Sequence, residues 1–422
     1  METRQKKAKV VVSVVALAGL LAFALTAIGG NLEPSAPPGP TMKTLDEVEP
    51  RIPVQSLGGD ANSLYVISQP GSYYLTGNIT GEPNKDGIMI AANNVTVDLM
   101  GFSLIGVPCS GRGIVKVIDQ ASPQLHSYPI RVRNGTICNW GGDGMYFEEI
   151  KVTYNGGSGV GTSGMLSPKV LMPCHLYLEG LSVYNNGSDG VRLHNALAHM
   201  EDVSFCSNGA NGIDADDGFL KIDGGNVSNN GANGLVVDGN SCCHLEDVAF
   251  TYNTGHGAVV GVYGMLDAFG VLAPHNGGGG IIAGGSGNLK QCTVVGNGGS
   301  GIEVGTGSTV RNCSARGNTG DVSGELSWWS LKGNTCESNG VGVVGTTDPA
   351  GIRATGVANR IEANHVISNN IGIGVDAAGN LIIKNSAQGN STNYDIALGN
   401  TAGPTLGTGD IVSDNPHANY EF

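Results

Sequence analysis

The sequence predicts an all-β protein in which short strands and tight turns are stacked as repeating coils. Three observations predict this class: a surplus of glycine, a surplus of asparagine, and a repeat with a period of 21–23 residues. Glycine supplies 69 of the 422 residues, about 16% against a usual ~7%, and asparagine supplies 38. Apolar content of 40% with only 14% charged residues argues against a disordered chain. The chain also lacks the apolar period of about 3.6 residues that helical bundles require.

The repeat is carried by two residues: an Asn that precedes a short turn, and a Gly that ends the turn before an aliphatic residue. Repeats of this length, made of strands and turns, each form one coil of a solenoid. After an insertion near residues 345–360, the pattern resumes at Asn369 and Asn390. The periodic glycines are Gly190, Gly212, Gly234, Gly257, Gly280 and Gly301. The periodic asparagines before the insertion are Asn186, Asn208, Asn230, Asn253, Asn276, Asn297, Asn318 and Asn339.

Alternation along each strand predicts which side chains point inward. The residues three before each Asn and the residues just after each Gly are mostly aliphatic, as at Phe205, Val227, Val191 and Ile213. They are expected to stack as columns inside a tube at the ~4.8 Å strand spacing. The Asn column is expected in a turn with left-handed backbone, where its amides can hydrogen-bond from coil to coil. Glycine is expected at the remaining corners with positive φ.

Four stretches carry a resemblance to a known family: YVISQPGSYYLTGNITG (65–81), NNVTVDLMGFSLIG (93–106), IRVRNGTICNWGGDGM (130–145) and NRIEANHVISNNIGIGVDAAGNLIIKNSAQGNS (359–391). They resemble the right-handed parallel β-helix repeat proteins of the pectin-lyase-like superfamily, over about residues 61–415. The resemblance implies a right-handed parallel β-helix (solenoid) of about 15 coils. It does not imply one activity, because the superfamily includes lyases, hydrolases, epimerases and adhesins.

The resemblance and the repeat together suggest a division of the chain. Residues 65–81 resemble an N-terminal capping coil, residues 146–179 and 261–279 are expected to be loops or irregular coils, and residues 416–422 form a tail. Residues 29–60 are Pro-rich and are expected to be an extended linker.

The N-terminal segment predicts export from the cytoplasm. Basic residues at positions 2–9 precede an uncharged apolar run from Val10 to Ile28, so residues 1–28 are either a signal peptide or an N-terminal membrane anchor. We expect an extracytoplasmic protein: secreted, periplasmic or anchored at the cell surface. It would contact a membrane only through residues 10–28, if these are uncleaved. Without residues 1–27 the net charge is −17, from 18 Lys+Arg and 35 Asp+Glu, which disfavours nucleic acid as a partner.

The nine cysteines permit two interpretations. In an exported chain some could form disulfides, but an odd number leaves at least one unpaired within the chain. No CxxC motif occurs, so a zinc site has little support. Small apolar core residues are the favoured interpretation.

The outward positions two and four residues after the periodic Gly concentrate charge on neighbouring coils. Arg192, His194, Asp216 and Asp238 are the candidate catalytic residues for glycoside chemistry. Asp214, Asp216 and Asp238 are a candidate Ca²⁺ site, the only cofactor that the sequence suggests. The competing interpretation is an ordinary solvated face, on which exposed like charges cost little.

A second column lies seven residues before each Asn, and its charge changes sign along the chain. Its acidic part could hold a cation, and Lys290, Arg311 and Lys332 could bind an anionic polysaccharide. Asp217 and His256 are further candidate substrate-binding residues. Gly255-His256-Gly257 is similar to a polygalacturonase motif, but Asp189 would lie three coils from His256, on the order of 14 Å and too far for a catalytic dyad. The column seven residues before each Asn comprises, in order, Glu201, Asp223, Glu246, Phe269, Lys290, Arg311 and Lys332.

Three functions remain open from the sequence. The preferred hypothesis is an exported β-helix repeat protein that binds or processes carbohydrate at the cell envelope, with a polysaccharide or other envelope glycan as partner. The alternatives are a non-catalytic surface or adhesive rod, and a polysaccharide lyase, glycoside hydrolase or epimerase. The sequence does not decide whether the protein is an enzyme, and the missing catalytic motifs favour a non-catalytic role.

Overall fold

Parallel strands stack in register along the whole described part of the chain. The computed structural model describes residues 51–116, 129–148, 174–194, 196–319, 322–324, 330–339, 350–409 and 412–422. These residues form one 14-stranded parallel sheet and one 26-stranded parallel sheet, and the solenoid has about 13 turns. The predicted all-β solenoid is therefore confirmed, and the estimate of about 15 coils is close.

Each coil contributes three strands in turn. The first lies in the 14-stranded sheet (the front sheet), and the second and third lie in the 26-stranded sheet (the back sheet). The front sheet contains Ser63–Ile67, Asp86–Ile90, Ile114–Lys116, Met145–Glu148, Val191–His194, Ile213–Asp216, Leu235–Asp238, Ala258–Val260, Ile281–Ala283, Ile302–Val304, Val322–Gly324, Ala350–Ala354, Ile371–Val375 and Thr392–Ile396.

The back sheet has two rows of strands. The first row contains Arg51–Pro53, Gly71–Tyr74, Val95–Asp98, Cys242–Glu246, Met265–Phe269, Ser286–Lys290, Thr309–Arg311, Ser330–Lys332, Arg360–Glu362, Leu381–Ile383 and Thr401–Ala402. The second row contains Ile79–Thr80, Ser103–Ile105, Ala249–Thr251, Leu272–Pro274, Thr293–Val295, Ser314–Arg316, Thr335–Glu337, His365–Ile367, Ser386–Gln388, Thr405–Leu406 and Asn419–Glu421. Four long strands run through both rows: Ile130–Cys138, Cys174–Tyr184, Ala196–Cys206 and Phe219–Ser228.

The core is the inside of this tube, and the inward columns are those predicted from alternation. Phe205, Val227, Val191 and Ile213 are all fully buried, and they belong to one continuous apolar cluster. Several cysteines are also core residues: Cys138, Cys243, Cys292, Cys313 and Cys336 are buried as free thiols. The core interpretation of the cysteines is therefore confirmed at these positions.

The periodic asparagines form a buried ladder of side-chain amides (the amide ladder). At Asn230, for example, the side-chain Nδ2 donates to Oδ1 of Asn253 at 2.9 Å, and the backbone N–H donates to the same oxygen at 3.1 Å. The ladder runs from Asn186 to Asn390 and crosses the insertion through a bond between Asn339 and Asn369. This confirms the predicted coil-to-coil bonding and its resumption after the insertion.

The backbone of the turn differs from the prediction in two ways. The left-handed residue is the one before the ladder Asn, as at Asn229 with φ 56° and Tyr252 with φ 56°. The periodic Gly does not have positive φ either. A Cβ at Gly234 would lie 2.5 Å from the carbonyl oxygen of Gly257 and 2.8 Å from the Asn253 amide, so glycine is required there for close approach between coils.

The described solenoid extends beyond the predicted boundaries at both ends. Arg51–Pro53 pairs with Gly71–Tyr74, and Val54 is fully buried, so the fold begins inside the segment predicted to be a linker and ahead of the predicted capping coil. At the other end, Asn419 accepts a hydrogen bond from Asn385 at 3.2 Å and is fully buried. The predicted tail therefore covers the last coils as part of the fold.

The segment 261–279, predicted to be a loop, is a regular coil with strands Met265–Phe269 and Leu272–Pro274. The segment is rich in glycine, which is typical of loops, but Gly270, with φ 66°, forms the corner between these two strands. Of the other predicted loop, 146–179, residues 149–173 lie outside the described residues, whereas residues 146–148 and 174–179 belong to the strands Met145–Glu148 and Cys174–Tyr184.

The predicted signal or anchor segment, residues 1–28, also lies outside the described residues. Among the residues that are described, no helix has the length and apolarity needed to cross a membrane.

Candidate functional site

The predicted charged residues of the front sheet lie on three neighbouring strands: Arg192, His194, Asp214, Asp216 and Asp238. With Asp189, a buried residue of the turn just before the first of these strands, they form the acidic patch. Arg192 is in register with Asp214, His194 with Asp216, and Asp216 with Asp238. Arg192, Asp216 and Asp238 are exposed, as the alternation rule predicts. The sequence therefore predicted correctly that these side chains share one surface.

Charge pairing organises the acidic patch. The Arg192 Nε atom is 3.5 Å from Oδ2 of Asp214, and its Nη1 is 3.9 Å from Oδ2 of Asp189. The His194 Nδ1 atom is 3.3 Å from Oδ2 of Asp216. Arg192 therefore lies between two carboxylates of neighbouring turns, whereas His194 pairs with a third.

Two carboxyl groups beside Arg192 have raised pKa values. Burial raises the pKa of Asp189 to about 6, against the lowering effect of a hydrogen bond from the Asn211 backbone N–H. Burial also raises the pKa of Asp214, and the nearby Arg192 guanidinium opposes that rise. The patch therefore contains one group, Asp189, that can exchange protons near neutral pH, a property often found at functional sites.

The Ca²⁺ site predicted at Asp214, Asp216 and Asp238 is not assembled. Asp214 is paired with Arg192 and Asp216 with His194, so both carboxylates already have partners. Within the described ranges, no group of three His, Cys, Asp or Glu side chains is placed to hold a metal ion. The donor set of these described residues therefore does not fit a Ca²⁺ ion.

A small open recess adjoins the acidic patch at the corner between the two sheets. The recess is shallow, and its rim includes Asp216, Asp217 and Phe219, which is 42% exposed. Asp217 is a turn residue with φ 49°, and its Oδ1 accepts the backbone N–H of Asn240 at 3.1 Å. Its carboxylate is therefore used in the turn, which weakens the predicted substrate role. The recess floor is apolar, with Leu193, Ala215 and Val237.

His256 belongs to a second turn ladder (the mixed ladder) rather than to the acidic patch. Its Nδ1 accepts the backbone N–H of Gly279 at 2.7 Å, and its own N–H donates to Oδ1 of Asn233 at 2.8 Å. Asp189 has the same role, since its Oδ1 accepts the N–H of Asn211 at 2.8 Å. The position of His256 in the repeat therefore explains the residue without a substrate. The mixed ladder comprises Asp143, Asp189, Asn211, Asn233 and His256.

The predicted column seven residues before each Asn is continuous on the outer face of the back sheet (the lateral column). Glu201, Asp223 and Glu246 are in register on successive coils. Phe269 follows, and then Lys290, Arg311 and Lys332 continue the same column. The structure thus brings together the three cations that the sequence predicted as a substrate-binding set.

The cationic end of the lateral column is larger than predicted (the basic surface: Lys290, Arg311, Lys332, Arg360 and Lys384). Its centre is Glu362, a side chain only 8% exposed. Glu362 lies 3.5 Å from Lys332 Nζ, 2.8 Å from Arg360 Nε and 3.6 Å from Lys384 Nζ. A hydrogen bond from Arg360 is the main cause that lowers the pKa of Glu362. One ionised carboxylate therefore holds three cations together on neighbouring coils.

A neighbouring outward column was missed from the sequence. It lies nine residues before each ladder Asn and includes Tyr177, His199, Lys221, His244 and Asp267. His244 Nδ1 is 3.0 Å from Oδ2 of Asp267, so charges also pair between coils here. Two-residue alternation from the lateral column would have found these positions.

Comparison with known proteins agrees with this architecture. Residues 272–412 match the family described as the right handed beta helix region. This match confirms the predicted right-handed parallel β-helix, and the coils N-terminal to this range continue the same parallel strand pairing. No curated protein sequence matches the chain.

Several solved structures are similar in fold. One is the A-module of the mannuronan C-5 epimerase AlgE4 of Azotobacter vinelandii, at 15% identity over 83% of this chain and 89% of that chain, with a TM-score of 0.47. Another is the Dettilon tailspike protein, at 14% identity over 85% and 60%, with a TM-score of 0.38. A third is PfbA, a surface adhesin of Streptococcus pneumoniae, at 11% identity over 82% and 87%, with a TM-score of 0.29. At these identities the similarity concerns the fold alone.

Proposed function

We propose that this chain, a right-handed parallel β-helix protein, binds an acidic polysaccharide outside the cytoplasm through its basic surface. One observation carries the proposal: five cationic side chains lie on neighbouring coils, three of them around the buried carboxylate of Glu362 and two, Lys290 and Arg311, on the coils before it. Glu362 balances only one of these five charges, so the surface remains net positive and would attract an anionic ligand.

The spacing of the cations suits a polymer. Lys290, Arg311 and Lys332 are register partners, so they repeat at the strand spacing of ~4.8 Å. That distance is similar to the length of one pyranose ring in a chain. A polysaccharide lying along the solenoid axis could therefore place successive carboxylates opposite successive cations.

The overall charge does not oppose this binding at physiological salt. The chain has a net charge of −14, but charges separated by more than the Debye length of ~8 Å are largely screened. The local basic surface then dominates the encounter. Binding should weaken steeply as salt is added, because it depends on exposed ion pairs.

The location at the cell envelope is part of the proposal. It is supported by the basic residues at positions 2–9 and the apolar run from Val10 to Ile28. The proposed role is binding without turnover, which includes the surface rod considered from the sequence. The proposal is supported by the segment 261–279, which forms an ordinary coil rather than a wall beside the acidic patch; the other predicted wall includes residues 149–173, which lie outside the described residues.

The test is a binding screen on the exported chain. Polygalacturonate and alginate are the acidic probes, and fully methyl-esterified polygalacturonate and dextran are the neutral controls. We expect salt-sensitive binding of at least one acidic probe, and none of its neutral control. Equal binding of polygalacturonate and its methyl ester, or no binding of any acidic probe, would contradict the proposal.

A second candidate function is a polysaccharide lyase, glycoside hydrolase or epimerase that acts through the acidic patch. The observation that favours it is Arg192 between Asp214 and Asp189, whose pKa of about 6 suits proton transfer near neutral pH. Incubation with the same acidic probes, followed by reducing-end assay and proton NMR, detects cleavage or epimerisation. Turnover that disappears in Asp216→Ala and Arg192→Gln would establish catalysis, whereas unchanged polysaccharide would leave binding as the function.

A further inference from the structure

The corner that precedes the amide ladder carries an unusual pair of aromatic rings. Tyr252 and His275 occupy the same left-handed position on successive coils, with φ values of 56° and 58°. Their rings are stacked, with centroids 5.1 Å apart and planes inclined by 22°. Both side chains are exposed, and Tyr252 retains 59% of its accessible surface.

These rings are not explained by the needs of the corner. The same position holds Asn185, Ser207 and Asn229 on earlier coils and Ser338 on a later one. Glycine and Asn adopt the left-handed conformation readily and His is also enriched in it, whereas a bulky residue such as Tyr252 is uncommon there. The rings are also not required by the core, because they point to solvent.

The next two coils leave the outer face of the ring stack open. Gly296 and Gly317 occupy the corner position there, with φ values of 65° and 62°. A Cβ at Gly296 would lie 2.7 Å from Nδ1 of His275, so the ring lies directly over this glycine. A Cβ at Gly317 would have no atom within 4 Å, so the space beyond the ring is open. The column of rings thus ends at a vacant position one coil further on.

A cation borders that vacant position. Arg316 directly precedes Gly317, is 63% exposed, and lies on the coil that also contributes Arg311 to the basic surface. Its Nε is 3.5 Å from Oε2 of Glu337, a pairing that leaves much of the guanidinium accessible. Arg316 lies two coils beyond His275 in the same row of strands, so a sugar that extends from the His275 ring toward Gly317 would approach its guanidinium.

We propose that Tyr252, His275 and Arg316 form a subsite for one hexuronate residue of the acidic polysaccharide. The apolar C–H face of the sugar ring stacks on His275 above Gly296 and Gly317, and its carboxylate faces Arg316. The inference rests on the proposed function, since it names the sugar residue of the bound polysaccharide that is recognised and the place on the protein that recognises it. Aromatic stacking with a charged neighbour gives ring-specific recognition that cations alone do not provide.

The decisive variant is Gly317→Asn, which fills the vacant position. Asn adopts the same left-handed conformation at positions 185 and 229 of this column, and the space at Gly317 is open, so the variant is expected to fold normally. Ser207→Asn makes the same type of change in the same column, remote from the subsite, and is the matched control. Circular dichroism and thermal unfolding verify the fold of each variant.

Binding of polygalacturonate and of sulfated dextran is measured by calorimetry for wild type, Gly317→Asn, Ser207→Asn, His275→Ala and Lys290→Gln/Arg311→Gln/Lys332→Gln. We expect Gly317→Asn and His275→Ala to weaken polygalacturonate binding about fivefold, with little change for sulfated dextran and none in Ser207→Asn. Loss of binding in the triple variant with unchanged binding in Gly317→Asn and His275→Ala would overturn the subsite and leave the proposed function intact. Absence of binding of polygalacturonate and of alginate in wild type would overturn both, whereas binding of alginate alone would overturn a subsite that accepts galacturonate and leave the proposed function intact.

Discussion

The coils from Val191 to Val260 and the coils from Ile281 to Glu337 have the same backbone but opposite surfaces. The first group carries the acidic patch on the front sheet and Glu201, Asp223 and Glu246 on the back sheet. The second group is nearly uncharged on the front sheet and begins the basic surface on the back sheet. The inward and turn positions hardly differ between them. Stacking therefore constrains the inside of the tube, whereas the outward positions are free to specialise.

The two turn ladders show the same contrast within one coil. The amide ladder contains only Asn from Asn186 to Asn390 and is buried or nearly so throughout. The mixed ladder lies at the edge of the acidic patch and accepts Asp189 and His256 in place of Asn. Any side chain with a hydrogen-bond acceptor can accept the backbone N–H of the next coil, so the mixed ladder can contain titratable residues such as Asp189 and His256.

The largest expected effect tests whether both groups of coils depend equally on the amide ladder. Asn253→Ala in the first group and Asn297→Ala in the second each remove an acceptor used by two donors of the preceding Asn. Leaving buried donors unpaired and opening a cavity should cost about 4 kcal/mol in each case. Denaturant unfolding followed by circular dichroism measures the loss.

The matched control for the ladder variants is Asn240→Ala, an exposed turn residue, which should change the unfolding free energy by less than about 0.5 kcal/mol. A loss below about 1 kcal/mol at either ladder position would show that the amides do not stabilise the stack. A large loss at only one position would show that the two groups of coils are not energetically equivalent.

A smaller effect is expected at Asp189, where burial favours the protonated acid. The pKa of Asp189 is about 6 in the folded protein, against an ordinary value of 3.8 for the unfolded chain. The free energy of unfolding therefore falls as the pH rises from the unfolded-chain pKa to the folded-state pKa. Asp189→Asn keeps the acceptor for Asn211 and removes the titration. The variant should match wild type near pH 4 and be more stable by up to about 2 kcal/mol at pH 8. Thermal unfolding at both pH values measures this, and equal pH dependence of the two proteins would refute it.

The smallest effect is expected at His256 and has the opposite sign. Burial lowers the pKa of His256, and its Nδ1 must stay unprotonated to accept the Gly279 N–H. The stability that this bond contributes, about 1 kcal/mol, is therefore lost as the pH falls below about 6.5. His256→Asn should remove this loss, as Asn233 occupies the same ladder position one coil earlier. An unfolding midpoint that falls equally in both proteins between pH 7 and pH 5 would contradict the assignment.

Much of the fold could be predicted because one period fixes many positions at once. The spacing of Asn208, Asn230 and Asn253 placed the ladder, and alternation then placed Arg192 and Asp214 on one face. Alternation also predicts the column that contains His244, because each of its residues lies two positions before a residue of the lateral column.

Other features depend on contacts that the period does not contain. A second amide ladder begins where the Cys313 N–H donates to Asn334, and it continues through Asn364 to Asn419. Its steps cross the insertion and the C-terminal segment, so their unequal spacing conceals it in the sequence. The stack of Tyr252 on His275 was hidden for a different reason, because neither residue type marks that corner elsewhere.

The most direct measurement compares polygalacturonate affinity in two variants that neutralise opposite ends of the lateral column. Lys290→Gln/Arg311→Gln/Lys332→Gln removes three cations, and Glu201→Gln/Asp223→Gln/Glu246→Gln removes three carboxylates from equivalent positions of earlier coils. If the basic surface is the binding site, the first variant binds at least about tenfold more weakly, and the second binds as well as wild type or better. Equal losses in both variants, or unchanged affinity in the first, would contradict the account.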